Sequence, residues 1–276
     1  KFYTKSFSIL SNSIKEIISN QKIPPRKEGS FSILGQFDDC LNIFSIPEFN
    51  GATFQVETNF NCLNNICFDQ TSEQGISYYI YNNIQGSQAS VSTAASLIFR
   101  NYYLTSGSEI KINLIEKTSL QVKEGFSLIN DVSFVKDDIE LDFDYNDLDN
   151  YQIGVQENCQ VILTRYDEKN LAILPYDQII HQVFVSSLDF IKKDKNSIKQ
   201  ISKIEPFLLE AEYKSTILAA WENSLKYPDN PGSKKCFLTI IGHELHDVPI
   251  NMVFDAIKSC QSLIIDSGLD VYLLPN

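Results

Sequence analysis

Basic charge is scarce in this chain of 276 residues. Only 23 Lys and Arg stand against 35 Asp and Glu, a formal net charge of −12. A nucleic-acid binder needs a basic face to displace counterions from phosphate, so nucleic acid is excluded as a partner. Long apolar runs are missing too. Without a stretch of about 18 apolar residues, the sequence offers no membrane-spanning helix. The six cysteines form no ligand set. Cys62 and Cys67 are separated by four residues and have no matching pair downstream, which leaves free buried thiols rather than a zinc ribbon. There are three histidines. His243 and His246, in "GHELHDVP", are three apart rather than the four that bring both rings of an H-E-x-x-H helix to one metal. Pro249 follows, where a helix starts, so this segment reads as a loop. The acidic stretch beginning at Asp142, Asp144 and Asn146 fails as a calcium loop. The sixth position is Asp147 rather than glycine, and the twelfth is Ile153 rather than glutamate. No metal and no cofactor is expected.

What is present is a large apolar fraction. At 43% hydrophobic residues the chain can bury a sizeable core. The chain opens on "KFYTKSFSIL" without an initiator Met, as a trimmed or mature form does. Residues 1–29 read as an amphipathic helical extension that breaks at "IPPRKEG", a proline, glycine and charge linker. The domain proper is expected at 30–276. "SFSILG" and "ATFQV" read as strands, and "QASVSTAASLIFRNYYL" reads as a helix with Val91, Ala94, Ala95, Ile98 and Tyr102 on one face. The region 105–150 reads as an insertion. "CQVILT" and "HQVFVSSL" are β-branched runs around a polar loop, and "EPFLLEAEYKSTILAAWENSLK" is a helix with Leu208, Ala211, Leu218 and Leu225 inward. "CFLTIIG" is a strand, followed by a helix carrying Ile250, Val253, Phe254, Ile257 and Ile264, then the strand "LDVYLL". Alternating strands and helices predict an α/β fold with helices on both faces of one sheet.

Polar groups cluster where such a sheet would hold a ligand. In open α/β sheets the ligand crevice lies at the carboxyl ends of strands. "QGS" at 85–87 and Gly242 are turns that feed helices there. Asn59 and Asn61 follow a strand and serve equally well as turn residues. His243 and His246 serve equally as surface-loop histidines, and Tyr102 and Tyr103 as core. The loop "RYDEKNLAILPYDQ" carries Asp167, Glu168 and Asp177. Carboxylates in this loop can clamp a guanidinium or orient water, and they can equally be a charged surface turn.

Taken in order, "FQVETNFNCLNN", "EQGISYYIYNNIQGSQASVSTAASLIFRNYY", "EAEYKSTILAAWENS", "KKCFLTIIGHELHDVPINMVFDAI" and "LDVYLLPN" resemble the macrodomain-like proteins. Relatives there include secreted Legionella effectors acting on ADP-ribosylated arginine. The resemblance runs from about 50 to 276 and implies a three-layer α/β/α sandwich with a mixed sheet. It further implies binding of ADP-ribose or an ADP-ribosylated protein, and removal of ADP-ribose from a side chain, most readily arginine. The alternative is a reader module that binds without turnover. Asn59 and Asn61 would face the distal ribose. Gln85, Gly86 and Ser87, with Gly242 and His243, would surround the diphosphate, although relatives carry more glycine than "GHELHD" at the second loop. Asp167 and Asp177, with Glu168 beside them, would supply catalysis.

Overall fold

The computed structural model describes residues 1–21, 27–35, 39–65, 71–106, 112–127, 146–167, 170–191 and 195–274. Glu168, Cys67, Asp142 and Asp144 lie outside them. In chain order the strands are β1 Phe2–Ser6, β2 Ser30–Ile33, β3 Thr53–Glu57, β4 Val122–Lys123, β5 Phe126–Ser127, β6 Gln152–Gln160, β7 Leu163–Arg165, β8 Leu171–Ile173, β9 Ile179–Val185, β10 Lys235–Leu238 and β11 Asp270–Leu273. The α-helices are α1 Phe7–Gln21, α2 Cys40–Phe44, α3 Gln85–Ser92, α4 Ala94–Ile98, α5 Lys195–Lys226, α6 His243–His246, α7 Ile250–Ser259 and α8 Gln261–Ser267.

Seven strands form one mixed sheet in the order β1-β6-β9-β3-β10-β11-β2. β9, β3, β10, β11 and β2 run parallel, β6 runs against them beside β9, and β1 pairs antiparallel with β6 at the edge. Strand alternation feeds two cores. Val183, Val185, Cys236, Leu238, Val271 and Leu273 point to α1, α5, α7 and α8. Phe54, Val56, Phe184 and Phe237 point to the opposite layer, which holds α2 and α3. Phe54 stacks on Phe237 with ring centroids 4.4 Å apart. The result is the expected α/β/α arrangement, helices covering both faces of a mostly parallel sheet.

Three elements differ from the expectation. The first 21 residues are part of the fold rather than an appendage. β1 pairs with β6 from Phe2↔Gln156 to Ser6↔Gln152, and α1 places Leu10 and Ile14 in the α5 core. The helix read through 88–104 breaks at Thr93, whose φ −107 and ψ 51 are not helical. Beyond the break, α4 is followed by a π-helical stretch, Phe99–Ser106, and Ile98, Tyr102 and Tyr103 are exposed. The break at Thr93 shifts the stripe, so Leu97 rather than Ile98 is buried. α5 starts ten residues before the predicted "EPFLL", with Pro206 inside it. Leu208, Ala211, Leu218 and Leu225 are buried, as their spacing requires. In the predicted insertion, the described residues 112–127 are packed onto the core through Leu114 and Ile115. No helix among the described residues is long and apolar enough to cross a membrane.

Candidate ligand site

The chain reverses direction across the sheet at β3. From β3 it travels to β6 and β9 on one side, then α5 carries it over to β10 and β11 on the other. Such a reversal opens a crevice at the carboxyl ends of the central strands. Here the loops after β3, β9 and β10 meet around a hollow. It is lined by Asn59, Phe60, Ser186, Ser187, Asp189 and His246, with Gly125, Phe126 and Ser127 as its outer wall. The hollow has a volume of ≈ 10 Å³, room for about one water molecule.

Hydrogen bonds fix each wall. The Asn59 Nδ2 amide donates to Asn65 O at 3.0 Å, and Asn61 Oδ1 accepts from Leu63 N–H. Ser187 Oγ and His246 Nδ1 are 2.6 Å apart. Glu57 Oε1 lies 3.9 Å from the same ring nitrogen. Because one nitrogen faces both the hydroxyl and the carboxylate, the three do not form a relay through opposite ring nitrogens of the kind that activates a serine.

Beneath the hollow are three fully buried glutamates. Glu57 accepts from Gly242 N–H, Glu212 from Ser186 N–H and Glu205 from Leu188 N–H. Burial pushes Glu57 and Glu205 up to about 8, and Glu212 well above its ordinary value; the backbone bonds only partly oppose this. Repulsion from Glu57 adds to the rise of Glu205 and Glu212, and Glu244 adds to that of Glu57. These carboxylates therefore already hold the N–H groups of Gly242, Ser186 and Leu188, which an anionic ligand would otherwise use.

Of the residues read as ligand-binding, Asn59 lines the hollow. Asn61 is buried behind it in the same loop. Gln85 completes the backbone of β3: its Oε1 accepts from Glu57 N–H and its Nε2 donates to Gln55 O. Gly86 lets α3 touch β3, since a Cβ there would sit 1.9 Å from Glu57 O. Ser87 is fully buried. Gly242 is left-handed at φ 72, and a Cβ would sit 2.4 Å from both Ser187 Oγ and Val248 Cγ2. His243 is exposed, its Nδ1 3.1 Å from Val248 O.

Asp167 and Asp177 do not join this group. Asp167 is exposed at the tip of the β7–β8 hairpin, where it accepts from the Asn170 backbone and side chain and so closes the turn. Asp177 is exposed at the root of the hairpin, beside the amino end of β9. Several extended residues separate the two, on the order of 20 Å. The length of β9 separates Asp177 from Ser186 by about as much again. Sequence spacing within a loop does not reveal that the loop is itself a hairpin, with its two aspartates at opposite ends. The site residues missed by sequence reasoning are Ser186, Ser187 and Asp189. Their signal was available: "HQVFVSSLD" is a strand followed at its carboxyl end by polar residues, as is "FQVETNFN".

Among the described residues, no group of three or more His, Cys, Asp or Glu is placed to hold a metal ion. The five cysteines among the described residues are free and buried. A larger hollow of ≈ 440 Å³ lies elsewhere, between β2 and α7–α8. Its lining of Phe31, Ile33, Phe254 and Ile265 is apolar, with Lys258 at its side.

The site thus belongs to an α/β protein with a polar crevice at the switch point of its sheet. No protein-family model and no curated protein matches the sequence. In shape, the chain is similar to poly(ADP-ribose) glycohydrolase from Deinococcus radiodurans in complex with ADP-ribose. Two crystal forms give TM-scores of 0.47 and 0.48 at 6% identity, covering 99% of this chain and 86% of that one. The apo form gives 0.39 at 7% identity over 99% and 84%. Likeness at this level does not assign roles to residues.

Proposed function

We propose that this chain is an ADP-ribose-recognition domain that holds its ligand in the hollow at the ends of β3, β9 and β10 without hydrolysing it. One observation carries the reading: hydrogen-bonding groups from the chain after three strand ends, Asn59, Ser186, Ser187 and the His246 ring, converge at the switch point. The resemblance of the ordered segments to macrodomain-like proteins supports the ligand class. The positions of Asp167 and Asp177 favour recognition over turnover, because neither carboxylate borders the hollow. Calorimetry tests the ligand: ADP-ribose is expected to bind, AMP to bind more weakly, and Asn59→Ala to weaken ADP-ribose by about tenfold, the worth of one hydrogen bond left unmade. No heat with millimolar ADP-ribose removes the reading.

Hydrolysis is the second reading, and Asp189 is what favours it. This half-buried carboxylate borders the hollow, with Oδ1 accepting from Ile191 N–H. A carboxylate there can orient water for attack on a ribose carbon. Arginine-ADP-ribosylated protein is the substrate to try. Release of free ADP-ribose by the native chain, abolished in Asp189→Asn, would establish the hydrolase and displace the reader.

A further inference from the structure

The hollow is far smaller than the several hundred cubic ångströms that a nucleotide-sized ligand occupies. Its outer wall is the turn between β4 and β5. Val122 pairs with Ser127 and Lys123 with Phe126, and the two turn residues, Glu124 at φ 49 and Gly125 at φ 89, are both left-handed. That is a tight hairpin on strands of two residues each, a unit with little stability of its own. The chain leading into it is firmly held. Leu114 and Ile115 are fully buried, Leu114 N–H donates to Phe60 O, and Gln152 N–H donates to Leu114 O. The tip meets the asparagine loop differently. Phe60 N–H donates to Gly125 O at 2.9 Å, and Asn65 Nδ2 donates to Glu124 O at 3.1 Å. Two carbonyls of the hairpin thus occupy acceptor positions facing donors of the ligand loop. Ligand hydroxyl or phosphate oxygens would make the same bonds.

We propose that the β4–β5 hairpin is a displaceable, self-inhibiting cover: its turn carbonyls stand in for ligand oxygens at Phe60 and Asn65, and binding requires the tip to lift away from the asparagine loop. The proposal rests on the reading of this hollow as the ligand site. Opening releases the Phe60 N–H and the Asn65 amide into the crevice. Affinity is then reduced by the fraction of molecules that are closed.

The test separates the cover from the ligand. Ser187→Cys places a thiol in the hollow, and its reaction with a bulky anionic disulfide reagent is followed by peptide mass spectrometry. The reaction is expected to be slow in the otherwise native chain. Two further changes loosen the tip. Gly125→Ala introduces a Cβ 2.5 Å from Asn61 Oδ1 at a left-handed position, and Phe126→Ser removes the ring from the wall. Each is expected to speed labelling of Cys at 187 by about tenfold or more, and, with Ser187 restored, to tighten ADP-ribose binding by a similar factor. Unchanged labelling in both variants overturns the cover, whatever the ligand does. Faster labelling with weaker ADP-ribose binding also overturns it, since the hairpin would then be part of the site. Faster labelling with no ADP-ribose binding in any form supports the cover and removes the ADP-ribose reading alone. If neither variant folds, hydrogen exchange of the native chain decides. Phe60 N–H exchanging faster than the amides of β3 supports the cover, and equally slow exchange overturns it.

Discussion

Helix α5 carries glutamates to both ends of the sheet, and their fates are opposite. At the amino end of the parallel strands, Lys226 bridges Glu157 at 2.9 Å and Glu222 at 3.3 Å, and Lys5 reaches Glu222 at 2.6 Å. Burial raises both carboxyls, but the bonds from Tyr3, Lys226 and Tyr227 to Glu157, and from Lys5 and Ser13 to Glu222, outweigh it. Both end below the ordinary carboxylate range. At the carboxyl end Glu57, Glu205 and Glu212 accept hydrogen bonds from backbone N–H groups, with no Lys or Arg among the described residues bridging them as at the amino end, and all three are raised. A backbone dipole compensates a buried charge less than a cation does. The amino end is therefore an ion-paired clasp, whereas the carboxyl end holds its acids ready to keep protons beneath a polar crevice.

The largest expected effect tests that contrast by pH. Between the ordinary value of 4.5 and about 8, the folded state holds protons on Glu57 and Glu205 that the unfolded chain has released. Stability from these groups is complete below 4.5 and falls by several kcal/mol as pH rises to about 8. Urea midpoints measured across this range should show the fall, and the Glu57→Gln, Glu205→Gln double variant should flatten it. An unchanged slope would mean that the carboxyl end is ionised and compensated like the amino end.

Gly86→Ala comes next. The added Cβ would meet backbone Glu57 O at 1.9 Å, and neither α3 nor β3 can yield locally, so a loss of about 3 kcal/mol is expected from equilibrium unfolding. A near-neutral result would show that α3 is not clamped against the strand end.

Acid probes the amino end with the opposite sign. His181, stacked 5.2 Å from Tyr227, is lowered to about 4, chiefly by burial. Its contribution is present above 6.5 and lost as pH falls through 4, roughly 3 kcal/mol. His181→Phe keeps the stack and should remove that acid sensitivity, read as the change in urea midpoint between pH 6.5 and pH 4.

The smallest effect belongs to the hairpin aspartates. Asp167→Ala and Asp177→Ala should each shift stability by less than about 0.5–1 kcal/mol and leave ADP-ribose affinity unchanged, because both side chains are exposed. A tenfold loss of ligand from either would move the site boundary to the β7–β8 hairpin.

The sequence by itself determined the layers of this protein. β-branched runs such as "HQVFV" and the inward stripe Leu208, Ala211, Leu218 and Leu225 bury the same faces in any compact arrangement, because periodicity of 2 or 3.6 is a local property of the backbone. It also placed Asn59 after a strand, where ligands gather. Only the tertiary structure decided which strand ends meet. Asp167, Asp177 and Ser187 are all polar residues beside strands, and nothing in their neighbours says which borders the crevice. That depends on the order β9-β3-β10, on β1 adding a strand from residues that read as an appendage, and on a hairpin bringing Gly125 onto Phe60. Such contacts join residues tens to more than a hundred positions apart. Their formation depends on the summed packing of the whole core, which no local pattern encodes.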